Sequence, residues 1–178
     1  MRIIGGRLKG IRLNPPKNLP VRPTTDLAKE ALFNILNNQV ELDGIRVADL
    51  FAGTGNMSFE FASRGAARVT AVERHAGAVK AMQGTAEQLQ LDAIKAVKMD
   101  VFSWLKSTPE KYDIVFADPP YDLDRIPEIA QRVFDQKILG ENGLLIIEHQ
   151  SMMNLSVHPQ FSEQRKYGHS SFSFFRNA

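Results

Sequence analysis

The chain has 178 residues, enough for one domain with a sizeable core, and its 43% hydrophobic and 24% charged content is that of a soluble globular protein. It contains no Cys, which excludes a disulfide framework and any thiolate metal site. No apolar run approaches the roughly 18 residues of a membrane span, and the N-terminal segment lacks a signal peptide's apolar block, so no membrane partner and a cytoplasmic location are expected.

The net charge of +2 conceals an asymmetry. Residues 1–22 hold Arg2, Arg7, Lys9, Arg12, Lys17 and Arg22 and no acid, a local charge of +6, while the remainder is −4. Such an arm suits nucleic acid phosphates. It equally suits a hairpin whose Lys and Arg residues protect exposed edges.

In chain order, "RIIGGRLKGIRL" reads as two short strands around Gly-containing turns, and "NPPKNLPVRP" as a connector too rich in proline for a helix. A helical period follows in "TTDLAKEALFNILNNQ", with Leu27, Ala28, Ala31, Leu32, Ile35 and Leu36 on one face. Thr24 or Thr25 can cap it, and Asp26 sits where the helix dipole favours an acid. From Arg46 onward the pattern alternates. The strands are "RVADLFA", "RVTAVE", "IKAVKMD", "YDIVFAD" and "GLLIIEH", and helical stretches lie between them. The end, "FSEQRKYGHSSFSFFRN", reads as a hairpin. This alternation predicts an α/β fold with a mostly parallel sheet, helices on both faces and an antiparallel C-terminal hairpin. One unit is expected over 1–178: a basic arm and linker over 1–23, then a helix and catalytic core over 24–178.

In such sheets ligands bind beyond the carboxyl ends of the strands. The first strand is followed by "DLFAGTGN", in which Gly53 and Gly55 let the backbone approach a ligand closely. Glu73, at the end of the second, suits two ribose hydroxyls, or a surface pair with Arg74. Asp100, after the third, suits an exocyclic adenine amine. Phe102 suits packing beside an adenine or in the core, and Trp104 suits the core. A nicotinamide dinucleotide and S-adenosylmethionine (SAM) both fit this set. The dinucleotide fingerprint wants a third Gly or Ala where this chain has Ser58, and a dinucleotide needs a cationic site that SAM does not.

The fourth strand ends in "DPPY", Asp118 to Tyr121. Asp122 and Asp124 are expected to cap the next helix. His75, His149, His158 and His169 lack metal-ligand spacing, so no metal site is expected. No apolar surface stripe is left unassigned, so a monomer is expected.

A "DPPY" strand end is the signature of SAM-dependent methyltransferases acting on amino groups conjugated to a planar system. Together with "MRIIGGRLKG", "RPTTDLAKEALFNIL" and "DLFAGTG" it resembles the RsmD family of bacterial 16S rRNA guanine N2-methyltransferases, over nearly the whole chain. The resemblance implies a Rossmann-like class I methyltransferase fold with a seven-stranded sheet and a small N-terminal hairpin and helix extension. It also implies transfer of a methyl group from SAM to the N2 amine of a guanine in 16S rRNA of the small ribosomal subunit, guanine 966 in the family. On that reading Asp118, Pro119, Pro120 and Tyr121 are catalytic. The cofactor meets Asp49, Phe51, Ala52, Gly53, Thr54, Gly55, Glu73, Arg74, Asp100, Val101 and Asp118. RNA meets Arg2, Arg7, Lys9, Arg12, Arg22 and Thr24, and the "RPTT" entry makes Arg22, Thr24 and Thr25 candidates to face the pocket. The alternatives are a DNA adenine-N6 or other amino-methyltransferase, disfavoured because a sequence-choosing one usually carries an added recognition domain, and a SAM-binding ribosome-assembly module without turnover. A protein glutamine enzyme would place Asn where Asp118 stands.

Overall fold

A computed structural model describes residues 1–19 and 24–177. Helix α1 (Asp26–Asn37) precedes five strand units: β1 (Arg46–Leu50), α2 (Asn56–Ser63), β2 (Arg68–Glu73), α3 (Ala76–Gln88), β3 (Ile94–Lys98), α4 (Val101–Ser107), β4 (Tyr112–Ala117), α5 (Ile126–Asp135) and β5 (Leu139–Gln150). The hairpin β6 (Phe161–Tyr167) and β7 (Ser170–Arg176) closes the chain. The seven strands form one sheet in the order β3-β2-β1-β4-β5-β7-β6. Pairing is parallel from β3 to β5, and β7 is antiparallel to both β5 and β6. The expected seven-stranded, mostly parallel sheet with an antiparallel end is therefore present.

Burial on both faces explains why the central strands read as unbroken apolar runs. In β4, Ile114 and Phe116 face the core shared with α1, α2 and α3, while Val115 and Ala117 face the one shared with α4 and α5. In β5, Leu144 and Ile146 divide from Leu145 and Ile147 in the same way. The period-2 alternation of side chains thus feeds two apolar layers from one sequence run.

The arm is the expected hairpin in minimal form: Arg2 and Arg12 form an antiparallel bridge, and Ile3 N to the Ile11 carbonyl (2.9 Å), Gly10 N to the Ile3 carbonyl (2.8 Å) and Leu13 N to the Met1 carbonyl (3.0 Å) join its two limbs. Its other backbone donors go elsewhere, which keeps it from forming two full strands. Ile4 and Gly5 donate to the Glu60 carboxylate at 3.0 and 2.9 Å, and Leu8 and Arg7 donate to the Ser63 hydroxyl and carbonyl. These N–H groups are spent on α2 and not on a partner strand. Gly6, at φ +75°, lies so close to that helix that a Cβ would stand 2.1 Å from the Ser63 carbonyl oxygen. The arm therefore lies across α2, and all eight residues of that helix are buried. Arg2, Arg7, Lys9 and Arg12 remain exposed.

The apolar face of α1 is also rotated from the expected one. Leu27 is 77% exposed and Ala31 and Ile35 are half-buried, whereas Lys29, Leu32, Phe33 and Leu36 are buried. Lys29 completes the i, i+3, i+4, i+7 set that packs against the sheet. Thr25 is the N-cap, its hydroxyl accepting from Ala28 N.

Candidate functional site

The carboxyl ends of β1 to β4 open into one cavity of about 740 Å³. Asp49, Phe51, Ala52, Gly53, Thr54, Glu73, Arg74, Asp100, Val101 and the whole Asp118–Tyr121 stretch line it, as does Thr24. Gly55 lies just behind, as the N-cap of α2 in the left-handed region at φ +94°. A Cβ there would stand 2.9 to 3.0 Å from Phe59 and Met82, so the turn from β1 into α2 requires a glycine on both conformational and steric grounds. Phe51 adopts φ +59° without that freedom, a strained conformation of the kind found at ligand-binding loops.

Glu73 is held by backbone. One carboxylate oxygen accepts from Gly53 N at 3.0 Å and the other from His75 N at 2.8 Å, so it fastens the β1 loop to the start of α3, and the alternative surface pair with Arg74 does not form. Arg74 is exposed at the rim. Each Glu73 oxygen keeps a second lone pair. Asp100 is exposed and caps α4, accepting from Ser103 N at 3.0 Å and from its hydroxyl. Asp49 is buried and accepts from the Ser58 hydroxyl at 2.6 Å. Burial pushes its carboxyl up to about 7, against the opposing pull of the Ser58 hydrogen bonds. Ser58, at the position where a dinucleotide fingerprint has its third glycine, is thus committed to Asp49.

The other end of the cavity is made by long-range pairs. Thr24, expected at the RNA and as a candidate to face the pocket, lines the cavity and is only 4% exposed: its hydroxyl lies 3.3 Å from Asp118 Oδ2 and 3.1 Å from Glu148 Oε2. Glu148 is on β5, where Ala117 pairs with Ile147, so Asp118 and Glu148 are the next positions along two adjacent strands. The Tyr121 hydroxyl is hydrogen-bonded to Ser170 at the start of β7. Pro119 is buried and Pro120 exposed, and the Pro120 carbonyl accepts from Leu123 N at 3.0 Å, closing the turn. The N-cap of α5 is Arg125, without a side-chain cap, so neither Asp122 nor Asp124 has the capping role expected of it. Arg125 instead places its guanidinium 3.8 Å from the ring centroid of Phe102 at the cavity wall. Phe102 itself is buried against Phe51, and Trp104 against Tyr112.

Glu148, Asn56 and Arg125 are additions that sequence reasoning missed. An acid inside the apolar run "GLLIIEH" was the available signal for the first. Arg22 lies outside the described residues. Arg2, Arg7, Lys9 and Arg12 do not line the cavity. His149 is buried: Nδ1 meets the Gln150 carbonyl at 2.8 Å and Nε2 the Ser173 hydroxyl at 2.7 Å. A carbonyl only accepts, so Nδ1 carries a proton, and burial lowers the ring's pKa. Among the described residues no cluster of three or more His, Asp or Glu is arranged to hold a metal ion, and no helix is long and apolar enough to cross a membrane.

The cavity suits an adenosine-bearing cation: the carboxylates of Glu73 and Asp100, with the buried acid Asp49 beside them, line an interior with apolar patches at Phe51, Val101 and Phe102. Two phosphates would meet those carboxylates where they need donors.

Comparison with known proteins gives a consistent setting. The family model described as conserved hypothetical protein 95 matches residues 1–176. Ribosomal RNA small subunit methyltransferase D of Escherichia coli K12 is 31% identical over 159 residues, covering 89% of this chain and 79% of that protein. The solved structure of hypothetical protein TTHA0928 of Thermus thermophilus superposes with a TM-score of 0.85 at 26% identity, over 98% of each chain. The T. thermophilus 16S rRNA N2 G1207 methyltransferase RsmC, solved with AdoMet and guanosine, superposes with a TM-score of 0.76 at 24% identity, over all of this chain and 49% of that one. The architecture is that of class I methyltransferases.

Proposed function

Since the chain belongs to the conserved hypothetical protein 95 family, together with the small-subunit rRNA methyltransferase D (RsmD) proteins, we propose that it is a SAM-dependent rRNA methyltransferase acting on the N2 amine of a guanine in 16S rRNA, by resemblance guanine 966. The observation that carries this reading is the convergence of the Asp118–Tyr121 turn with the Gly53 loop, Glu73 and Asp100 on one cavity. The first provides acceptors for an amine, and the others provide a cradle for a charged nucleoside.

SAM, when bound, supplies an electrophilic methyl group on a sulfonium. Glu73 would hold the ribose hydroxyls with its remaining lone pairs, and Asp100 the adenine amine. Phe51, Ala52, Gly53 and Thr54 would wrap the nucleoside, Arg74 and Val101 flanking it. The guanine N2 amine is a weak nucleophile, because its lone pair is delocalised into the ring. Asp118 and the Pro119 carbonyl each accept one of its N–H bonds, which favours the pyramidal form and stabilises charge growing on nitrogen. With SAM bound, Asp118 and the Pro119 carbonyl would hold the amine lone pair in line with the methyl group, and the proton that the methylated nitrogen loses would pass to Asp118 or to water. No strong base is required, since the methylated amine is acidic. Two consecutive prolines fix the turn and remove competing N–H donors. Tyr121 gives the base a flat face to stack on.

The guanine must leave its stack to reach this cavity, which suits the single-stranded loops that sequence-specific RNA readers target. Arg2, Arg7, Lys9 and Arg12, exposed on the docked arm, would hold the neighbouring phosphates, with Arg22 nearer the site in sequence. The test supplies methyl-labelled SAM and small ribosomal subunits from cells lacking the protein, then identifies the labelled nucleoside. Label in N2-methylguanosine is expected. Label in a methyladenosine, or none with subunits, naked rRNA and assembly intermediates all tried, would overturn the assignment.

A further inference from the structure

A buried lysine is the least expected residue in the molecule. Lys29 has no exposed side-chain surface, and burial lowers its pKa against the opposing charge of Glu60. An ammonium in such a place is costly unless all three of its donors are used. Here they are: Lys29 Nζ meets Glu60 Oε1 at 3.1 Å, Asn56 Oδ1 at 2.9 Å and the Arg2 carbonyl. Glu60 in turn holds Ile4 N, Gly5 N and the Arg64 guanidinium.

Asn56 makes the next connection. With its Oδ1 taken by Lys29, its Nδ2 donates to the Thr24 carbonyl at 3.0 Å, and that two-sided use fixes the orientation of the amide. Thr24 is thereby located by its backbone, and its hydroxyl is delivered between Asp118 and Glu148. A buried ion pair is a poor source of stability but a good source of orientation. This one is joined, through the two hydrogen bonds of the Asn56 amide and the Thr24 hydroxyl, to the acid at the methyl-acceptor end of the cavity.

We infer that Lys29, Asn56, Thr24 and Glu148 are positioning residues that set the orientation of the Asp118 carboxylate, with the docked N-terminal arm as the anchor of the chain. Thr24 engages Asp118 Oδ2 and so sets the plane in which the carboxylate meets the amine. The single hydroxyl proton is shared in a three-centre bond with Glu148 of the adjacent strand at 3.1 Å, which holds Thr24 between the two acids. The arm thus does two jobs: its exposed cations face outward, while its backbone and the Arg2 carbonyl seat Glu60 and Lys29. The inference rests on Asp118 being the amine acceptor.

The experiment compares Thr24→Val, Thr24→Ser, Asn56→Ala, the Thr24→Val/Asn56→Ala double variant, Glu148→Gln and Asp118→Asn, measuring kcat, KM for SAM and melting temperature. Thr24→Val keeps the shape and loses the hydroxyl, so kcat should fall about 10- to 100-fold, the range a small misplacement of a reacting group produces, with KM for SAM within about twofold. Thr24→Ser should recover most of the rate. Glu148→Gln should lower kcat in the same direction. The double variant should be no slower than the worse single one, because both substitutions break one chain. A Thr24→Val kcat within about twofold of the parent, a Thr24→Ser as slow as Thr24→Val, or rate losses that multiply in the double variant would each overturn the inference. Asp118→Asn separates the two levels: if it too transfers normally, the assignment of Asp118 has failed; if only it is inactive, the positioning chain has failed.

Discussion

The two ends of the cavity are built on different principles. At the Gly53–Glu73–Asp100 end, the bonds span short stretches of sequence: Glu73 accepts from His75 N two residues on and from Gly53 N 20 residues back, Asp100 from Ser103 N three residues on, and Asp49 from the Ser58 hydroxyl nine residues on. At the Asp118 end, the contacts join residues 94, 124 and 49 positions apart, Thr24 to Asp118, Thr24 to Glu148 and Tyr121 to Ser170. The first end is built by the neighbouring β1, β2 and β3 units, joined by the Glu73–Gly53 bond. The second exists only when the entry to α1, the β4 and β5 ends and the C-terminal hairpin have come together. On the proposed function, a nucleoside cradle built by neighbouring strand units is separable from an amine site built by long-range contacts.

Substitutions at the first end should change cofactor affinity and leave the amine site intact. Glu73→Gln puts an amide group against either Gly53 N or His75 N and removes the charge, so SAM affinity should fall by roughly 1.5–3 kcal/mol, the worth of hydrogen bonds to a charged group. Calorimetric titration checks this, and an unchanged Kd would detach Glu73 from the cofactor. Substitutions on the arm surface should touch neither end. Replacing Arg7, Lys9 and Arg12 by Ala should weaken RNA binding and reduce the slope of log K against log salt by about 0.7 per lost phosphate contact, with SAM affinity unaltered. A slope equal to the parent's would remove the arm from the RNA surface.

The smallest effect is expected from Asp49, through pH. Its folded pKa of about 7 lies above the ordinary 3.8, so the folded protein holds this proton more tightly than the unfolded chain. The resulting stabilisation is complete below about pH 3.8 and is lost as pH rises through about 7. Asp49→Asn keeps an acceptor for Ser58 and cannot ionise. Its melting temperature relative to the parent should therefore rise between pH 5 and 8, and a difference independent of pH would show that Asp49 is ionised throughout.

The same division governs what could be read from the sequence. The Gly53 turn, Glu73, Asp100 and Asp118 each follow a recognisable strand, so alternation alone places them at one sheet edge. The α1 face was misjudged because apolar residues were given priority over period: Lys29 occupies a core position alongside Leu32, Phe33 and Leu36, while Leu27 lies outside it. Glycines and Lys/Arg edges suggested strands in the arm. The pairing is cut short because Ile4, Gly5, Arg7 and Leu8 donate to Glu60 and Ser63, which nothing local announces. Thr24 and Thr25 looked interchangeable as caps, and only the fold assigns Thr25 to the helix and Thr24 to Asp118.

The most direct test of the two-ended site takes Asp118→Asn and Glu73→Gln side by side, measuring SAM Kd and the single-turnover rate of methyl transfer to the RNA at saturating SAM. The account predicts a crossing pattern. Asp118→Asn binds SAM as the parent does and loses about 10²–10³-fold in rate, the scale for removing one electrostatic stabiliser of a transition state. Glu73→Gln binds SAM more weakly and, once saturated, transfers at close to the parental rate. If both variants lose affinity and rate together, the cavity is one undivided site and the assignment of the amine to Asp118 is wrong.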